Sequence, residues 1–241
     1  MGTLKEMRLL SYKGSSTVTR LGDFFARHFL SGPPYVTVKT RYGIVLIPKN
    51  MRVFTMKYDL LEPEIRVFLE KTLRDMDYFI NVGAAEGYYL LKAKALNPYA
   101  KMIGFEPDGQ AYTFLQANLS MNNMTDSVQV FRMALSDEND KTVEVQTCMG
   151  KGKVLCTSRT LDSLCVELNL QITIKSLILI DVEGMGVRVL KGALSSLRAS
   201  MPRIIMELHH GEEEAGAILT GLGYVVTRRS EFFLVAEPAS L

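Results

Sequence analysis

The chain has 241 residues, 47% of them hydrophobic and 22% charged, with a formal net charge of +2. That composition excludes a disordered, fibrous or collagen-like protein, and the balanced charge gives no global field to attract nucleic acid, which is disfavoured as a partner. Cys148, Cys156 and Cys165 form neither a CxxC pair nor a four-ligand set, so no disulfide framework or zinc site is indicated and a reducing, cytoplasmic setting is expected.

No apolar stretch approaches the ~18–20 residues that span a bilayer, and no leader-like apolar run follows Met1, so neither secretion nor a membrane span is expected. A chain of this length builds a sizeable core without disulfides or structural metal. Residues 1–75 read as an accessory segment. Within it, Lys13-Gly14-Ser15-Ser16-Thr17 signals a loop. Residues 35–47 carry two β-rich runs about a turn at Arg41-Tyr42-Gly43, with Pro48 ending the second. From about Glu62 a helical stripe sets Ile65, Phe68, Leu69 and Leu73 on one face.

From Tyr78 short apolar runs alternate with amphipathic helices, the pattern of an α/β domain, residues 76–241, with a largely parallel sheet. Tyr78–Val82 reads as a strand, Tyr88–Leu96 as its helix, Met102–Phe105 as a second strand, Gly109–Met121 as a helix and Val128–Phe131 as a third strand. Residues 142–147 alternate as an extra antiparallel strand, and a helix over Leu161–Leu170 leads into the apolar strand Leu177–Asp181. A helix (Val187–Leu197), a strand (Arg203–Leu208), a helix (Glu214–Leu222) and two closing strands, Tyr224–Thr227 and Phe232–Ala236, complete the chain.

Four strand ends carry chemistry. Asn81-Val82-Gly83-Ala84-Ala85-Glu86-Gly87-Tyr88 runs from a strand through small residues into a helix, where backbone N–H groups can approach a cofactor. Glu106 ends the next strand and is placed to accept both hydroxyls of a ribose. With Ala85 where a dinucleotide turn has its second glycine, and Glu86 facing the would-be phosphates, a pyrophosphate is disfavoured and a sulfonium cofactor is not. Asp181 and Glu183 end the most apolar strand, with a helix N-cap as the alternative reading for either. Glu207 and His209 share a side of the neighbouring strand end, so the four could form an acid/base cluster or hold a divalent ion; no dedicated metal site is assigned. Glu212–Glu214 reads as the acidic first turn of a helix.

Taken together, Asn81-Val-Gly-Ala-Ala-Glu-Gly-Tyr-Tyr89, Phe105-Glu-Pro107, Ala117-Asn-Leu119, Ala134-Leu-Ser-Asp137, Thr160-Leu-Asp162, Ile180-Asp-Val-Glu-Gly184, Val189-Leu-Lys-Gly-Ala193 and Met206-Glu-Leu-His209 resemble the FkbM-type family of S-adenosylmethionine-dependent methyltransferases. The resemblance implies a Rossmann-like class I methyltransferase sheet, mostly parallel with an antiparallel C-terminal strand, preceded by a small N-terminal extension. It also implies S-adenosyl-L-methionine as cofactor and O-methylation of a hydroxyl on a sugar or small metabolite, so the expected partner is a small-molecule or glycan acceptor. Gly83 and Gly87 would line the methionine part, Glu106 with Pro107 the ribose, and Ala134 and Leu135 the adenine. Asn81, Ala84, Glu86, Tyr88 and Asp181 would complete the cofactor site. Asp181 and Glu183 would face the transferred methyl, with Glu207 and His209 beside the acceptor.

The family pattern has Asp at Asn81, Lys at Leu179 and Glu at Gly186. Losing the last two together reads either as a charge pair dropped as a unit or as a changed acceptor site. A non-catalytic cofactor-binding module of the same fold and an NAD-dependent oxidoreductase are the rival readings.

Overall fold

The computed structural model describes residues 34–48, 50, 52–147, 152–209 and 212–239; the Lys13–Thr17 loop signal, Cys148 and His210 lie outside them. The chain separates into two compact units, one ending at Leu61 and one running from Glu62 to Leu241. In the first, Tyr35–Lys39 (β1) pairs antiparallel with Ile44–Pro48 (β2), with Val38 and Val45 as buried partners across the ladder. Thr40 closes the turn, its N–H donating to Gly43 O at 2.8 Å. The Tyr42 hydroxyl donates to Asp59 at 2.8 Å, just past a short helix, Arg52–Lys57 (α1), that the sequence reading omitted.

The helix expected from Glu62 is Pro63–Asp75 (α2), with proline in its first turn, where a missing N–H costs nothing. It packs on Tyr88–Leu96 (α3) and so belongs to the larger unit. Lys92 of α3 is 1% exposed and pairs with Glu70 of α2 at 3.1 Å.

The larger unit is built on a seven-stranded sheet of Tyr78–Val82 (β3), Lys101–Phe105 (β4), Val128–Phe131 (β5), Ser176–Ile180 (β9), Arg203–Glu207 (β10), Tyr224–Arg228 (β11) and Phe233–Pro238 (β12). Its spatial order is β5-β4-β3-β9-β10-β12-β11, all parallel except β12, which runs antiparallel to both neighbours. The mostly parallel sheet with an antiparallel C-terminal strand is therefore present. β3 and β9 are buried at every position, as expected of central strands covered on both faces.

One face carries Ile80, Val82, Ile178, Ile180, Ile204 and Met206 against helices Leu161–Glu167 (α5), Gly186–Lys191 (α6), Leu194–Ser200 (α7) and Ala215–Gly221 (α8). The other lies under α3, whose Leu90 fills the space above Gly104 of β4. Gly109–Met121 (α4) is capped by Asp108, which accepts from the N–H of Gln110 and Ala111. No helix among the described residues is long and apolar enough to cross a membrane.

Two expectations change. The helix read over Val187–Leu197 is two helices, α6 and α7, broken at Gly192-Ala193. A Cβ on Gly192 would lie 1.9 Å from Ser136 O, so the chain yields there to a neighbouring loop. The extra strand is Lys141–Gln146 (β7), hairpinned to Lys153–Arg159 (β8), which itself pairs parallel with Ala134–Leu135 (β6). The sequence pattern offers no partner for it because the apolar stretch of β8, Val154-Leu155-Cys156, is only three residues long and lies in a mostly exposed or half-exposed strand.

Candidate functional site

The chain runs outward from β3 to β4 and β5 and then returns to place β9 on the other side of β3. The strand order thus reverses between β3 and β9, and in open α/β sheets a crevice opens at the carboxyl ends of such strands. Val82 and Ile180 are register partners there, and the Asp181 N–H donates to Val82 O at 2.9 Å.

From Val82 the chain turns through Gly83, Ala84, Ala85, Glu86 and Gly87 before Tyr88 opens α3. The turn is held from β4: the N–H groups of Gly83 and Ala84 both donate to Phe105 O at 2.9 Å, and Ala85 N–H donates to Glu106 Oε2 at 2.7 Å. Gly83 has φ +83°, and a Cβ there would meet Asp181 O at 1.9 Å, so the β9 tip packs directly on the turn. Gly87, at φ +87°, makes the left-handed entry into α3. Ala85 adopts the same region at φ +48° without being glycine, at a cost of about 1 kcal/mol. Glu86 is wholly buried, its carbonyl accepting from Asn118 Nδ2 at 2.8 Å, and Tyr88 is buried with its ring edge-on to Tyr89.

Glu106 follows β4 and is 4% exposed. Its Oε2 accepts from Ala85 and its Oε1 from Asp108 N–H at 2.8 Å, across the half-buried Pro107. Burial pushes this carboxyl up to about 7, against the two backbone N–H bonds, and the charges of Asp108 and Glu86 add to the rise. A carboxylate offers about four acceptor positions, so each oxygen keeps room for a hydroxyl donor.

Asn81, wholly buried on β3, sits between Gly104 and Leu179 in the register, and among the described residues neither its Oδ1 nor its Nδ2 has a hydrogen-bond partner. A buried amide left unpaired costs about 1–3 kcal/mol. Ala134 and Leu135 are both buried in β6, and Ala134 packs with Val143, Val145, Val182 and Met185. The small sheet is thereby joined to the loop that follows Asp181.

The structure brings together all four residues of the expected acid/base cluster. His209 Nδ1 lies 3.2 Å from Glu183 Oε2, and its Nε2 lies 3.9 Å from Glu207 Oε2. Ligand atoms of Asp181, Glu207 and His209 all fall within 4.8 Å of one another. Glu207 is 6% exposed at the end of β10, whereas Glu183 is exposed. Strand alternation is not what brings Glu183 to the others: β9 ends at Ile180, and a turn carries Glu183 back, with Met185 N–H donating to Val182 O.

Sequence reasoning missed Glu212. It is 2% exposed and is not part of a solvated helical turn. Its Oε1 accepts from the N–H of Gly186 and Val187 at the start of α6, and its Oε2 accepts from His209 N–H at 2.9 Å. The N-cap role considered for Asp181 or Glu183 is thus filled from elsewhere, which leaves both free of it. A Cβ on Gly186 would lie 2.9 Å from Glu212 Oε1 and 2.3 Å from Met206 Cε, so an acid arriving from position 212 occupies the space beside a residue too small to supply one. The only signal was the missing acid at 186.

Leu179 and Gly186 are not a dropped charge pair. Leu179 pairs in register with Ile205, while Gly186 packs on Met206, whose side chain points to the opposite face. Leu179 neighbours Asn81 instead.

A family model described as the methyltransferase FkbM domain matches residues 81–226. Among solved structures, a methyltransferase FkbM from Methylobacillus flagellatus KT superposes with a TM-score of 0.51 at 18% identity, covering 67% of this chain and 44% of that one. This chain therefore spans less than half of that protein's length. A putative rRNA methylase from Clostridium thermocellum matches with a TM-score of 0.50 at 12% identity, over 73% of this chain and 95% of its own. A precorrin-6y C5,15-methyltransferase from Geobacter metallireducens GS-15 matches at 0.47 and 14% identity, over 74% and 90%. No curated protein sequence matches the chain. The fold is the Rossmann-like class I methyltransferase fold.

Proposed function

The chain belongs to the methyltransferase FkbM family, and from that premise we propose that it transfers a methyl group from S-adenosyl-L-methionine to a hydroxyl of a sugar or small metabolite. The observation that carries the reading is the convergence, at the β3–β9 crevice, of a cofactor-type turn with a four-residue acid/base cluster.

The residues fit the cofactor. Glu106 has acceptor capacity for two ribose hydroxyls, Asn81 holds an unpaired amide under the turn, and Gly83 and Gly87 supply the positive-φ positions that let the turn close tightly on β9 and α4. Ala134 and Leu135 form the wall assigned to the adenine. Asp181, Glu183 and Glu207 give the crevice a negative character that suits a cation. Bound S-adenosylmethionine would supply an electrophilic methyl group on a sulfonium.

On the acceptor side, Glu183 Oε2 lies 3.2 Å from His209 Nδ1, a position that favours the proton on Nδ1 and Nε2 as the lone-pair nitrogen. His209, or Asp181 beside it, takes the proton of the acceptor hydroxyl as its oxygen attacks, and Glu207 stabilises the imidazolium that results. Most of the acceleration would come from aligning the two reactants in a site that excludes water.

Calorimetric titration with S-adenosylhomocysteine, with NAD as comparison and Glu106→Ala as control, tests the cofactor assignment. Saturable binding lost in the variant is the expected result. Heat from NAD alone would point to an oxidoreductase, and silence with both ligands to a module without this chemistry. Given binding, Glu183→Gln is expected to lower turnover on a panel of hydroxyl acceptors by ~10–100-fold. Unchanged turnover would remove Glu183 from the mechanism.

A further inference from the structure

We propose that Asp181, Glu207 and His209 together bind one divalent cation at the carboxyl ends of β9 and β10. The proposal rests on reading this crevice as the acceptor side of a methyl-transfer site, and it says what holds the acceptor oxygen there.

Three observations carry it. First, one carboxylate oxygen of Asp181, one of Glu207 and one ring nitrogen of His209 lie within 4.8 Å of one another. Donors about 2.1–2.2 Å from a shared ion sit up to about 4.3 Å apart when they face each other across it, so side-chain shifts of about half an ångström would close the three on one centre.

Second, His209 Nε2 is fully buried and has no hydrogen-bond partner among the described residues, while facing Glu207 at 3.9 Å. A bare lone pair aimed at a carboxylate is unfavourable, and either a proton on the ring or a cation between the two groups relieves it. Third, the opposite ring nitrogen is already engaged, Nδ1 lying 3.2 Å from Glu183 Oε2. A carboxylate on the far nitrogen fixes the tautomer and makes the remaining nitrogen a better donor to metal, the arrangement common around metal-bound histidines. Glu212 holds the His209 backbone in place through its N–H.

Two carboxylates and one imidazole suit Mn²⁺, with Mg²⁺ weaker because it favours an all-oxygen shell. Three protein donors leave coordination positions open for water or an acceptor hydroxyl. A hydroxyl bound there loses its proton to water more readily. The resulting alkoxide oxygen would form the new O–CH₃ bond as the CH₃–S bond breaks and S-adenosylhomocysteine leaves. The cation would then take over from His209 the task of making the acceptor oxygen nucleophilic.

The test is binding of Mn²⁺ alone to the whole 241-residue chain after chelator treatment, read by calorimetry and by loss of the free-ion electron paramagnetic resonance signal. One equivalent should bind, with Asp181→Asn and His209→Gln each weakening it at least tenfold. Glu183→Gln, which touches no ion, should weaken it by ~10–100-fold through the imidazole. Circular dichroism and S-adenosylhomocysteine binding of each variant, measured with chelator present, separate lost folding from lost ligands. No saturable Mn²⁺ binding at millimolar concentration, or binding unchanged in Asp181→Asn and His209→Gln, would overturn the proposal. If the cofactor product binds in chelator and methyl transfer proceeds without metal, the cation's part in activating the acceptor oxygen falls and the methyl-transfer reading stands. If Mn²⁺ binds as described and S-adenosylhomocysteine does not, the site stands and the cofactor assignment falls.

Discussion

Glu106 concentrates most of the residue-scale chemistry of the cofactor side. Its carboxyl is pushed from 4.5 up to about 7 by burial, so the folded chain holds this proton where the unfolded chain has lost it. The associated stability is complete below about pH 4.5 and is lost as pH rises through about 7, an effect of at most about 3 kcal/mol. Binding runs the other way, because only the ionised form accepts hydroxyls with both oxygens. S-adenosylhomocysteine should therefore bind more tightly at pH 8 than at pH 6, and Glu106→Gln should weaken binding about tenfold or more and flatten that dependence. Calorimetry at the two pH values decides this; a pH-independent affinity in the wild-type chain would remove Glu106 from the ribose. Ala85 offers a second measurement. Its left-handed backbone is one that glycine adopts freely, so Ala85→Gly should stabilise the protein by about 0.5–1 kcal/mol in denaturant titrations.

Elements position these residues by their ends. The N-terminus of α6 would leave N–H groups unpaired near the buried tip of β10, and Glu212 satisfies two of them while holding the His209 N–H with its other oxygen. One carboxylate thus ties a helix to the strand end that carries the acid/base cluster. Glu212→Ala should cost about 1–3 kcal/mol of stability. It should also lower turnover more than it weakens S-adenosylhomocysteine binding, since the disturbance falls on the acceptor side. Thermal denaturation with paired kinetic and binding measurements checks both parts, and equal loss in the two would show that Glu212 only supports the fold.

For the whole molecule, the division at residue 61 separates the hairpin unit from the sheet and its helices. All residues assigned to cofactor and acceptor fall within the larger unit. A fragment beginning at Glu62 is expected to fold cooperatively and to bind S-adenosylhomocysteine within a fewfold of the full chain. At a ligand concentration one hundred times Kd, binding adds about 2.7 kcal/mol and should raise Tm by about 5–10 °C. A fragment that folds but shows no such rise would assign part of the site to the first 61 residues.

The sequence by itself determined the strands of the main sheet and the helices between them, apart from the break that divides α6 from α7, because buried runs such as Leu177–Ile180 and the turn at Gly83–Gly87 write their local preferences directly into residue type. It also identified Asp181, Glu183, Glu207 and His209 as a group, since each closes or follows an apolar strand where a polar side chain has little other reason to stand. Only the tertiary structure decided how they meet. Glu183 arrives by a turn rather than by strand alternation, and Glu212, twenty-six residues from Gly186, fills the space beside that glycine. The pairing of Asn81 with Leu179, and the separation of Leu179 from Gly186 by the sheet itself, were equally invisible. Such relations depend on register and on which face a chain segment crosses, and those are set by long-range packing rather than by the preferences of neighbouring residues.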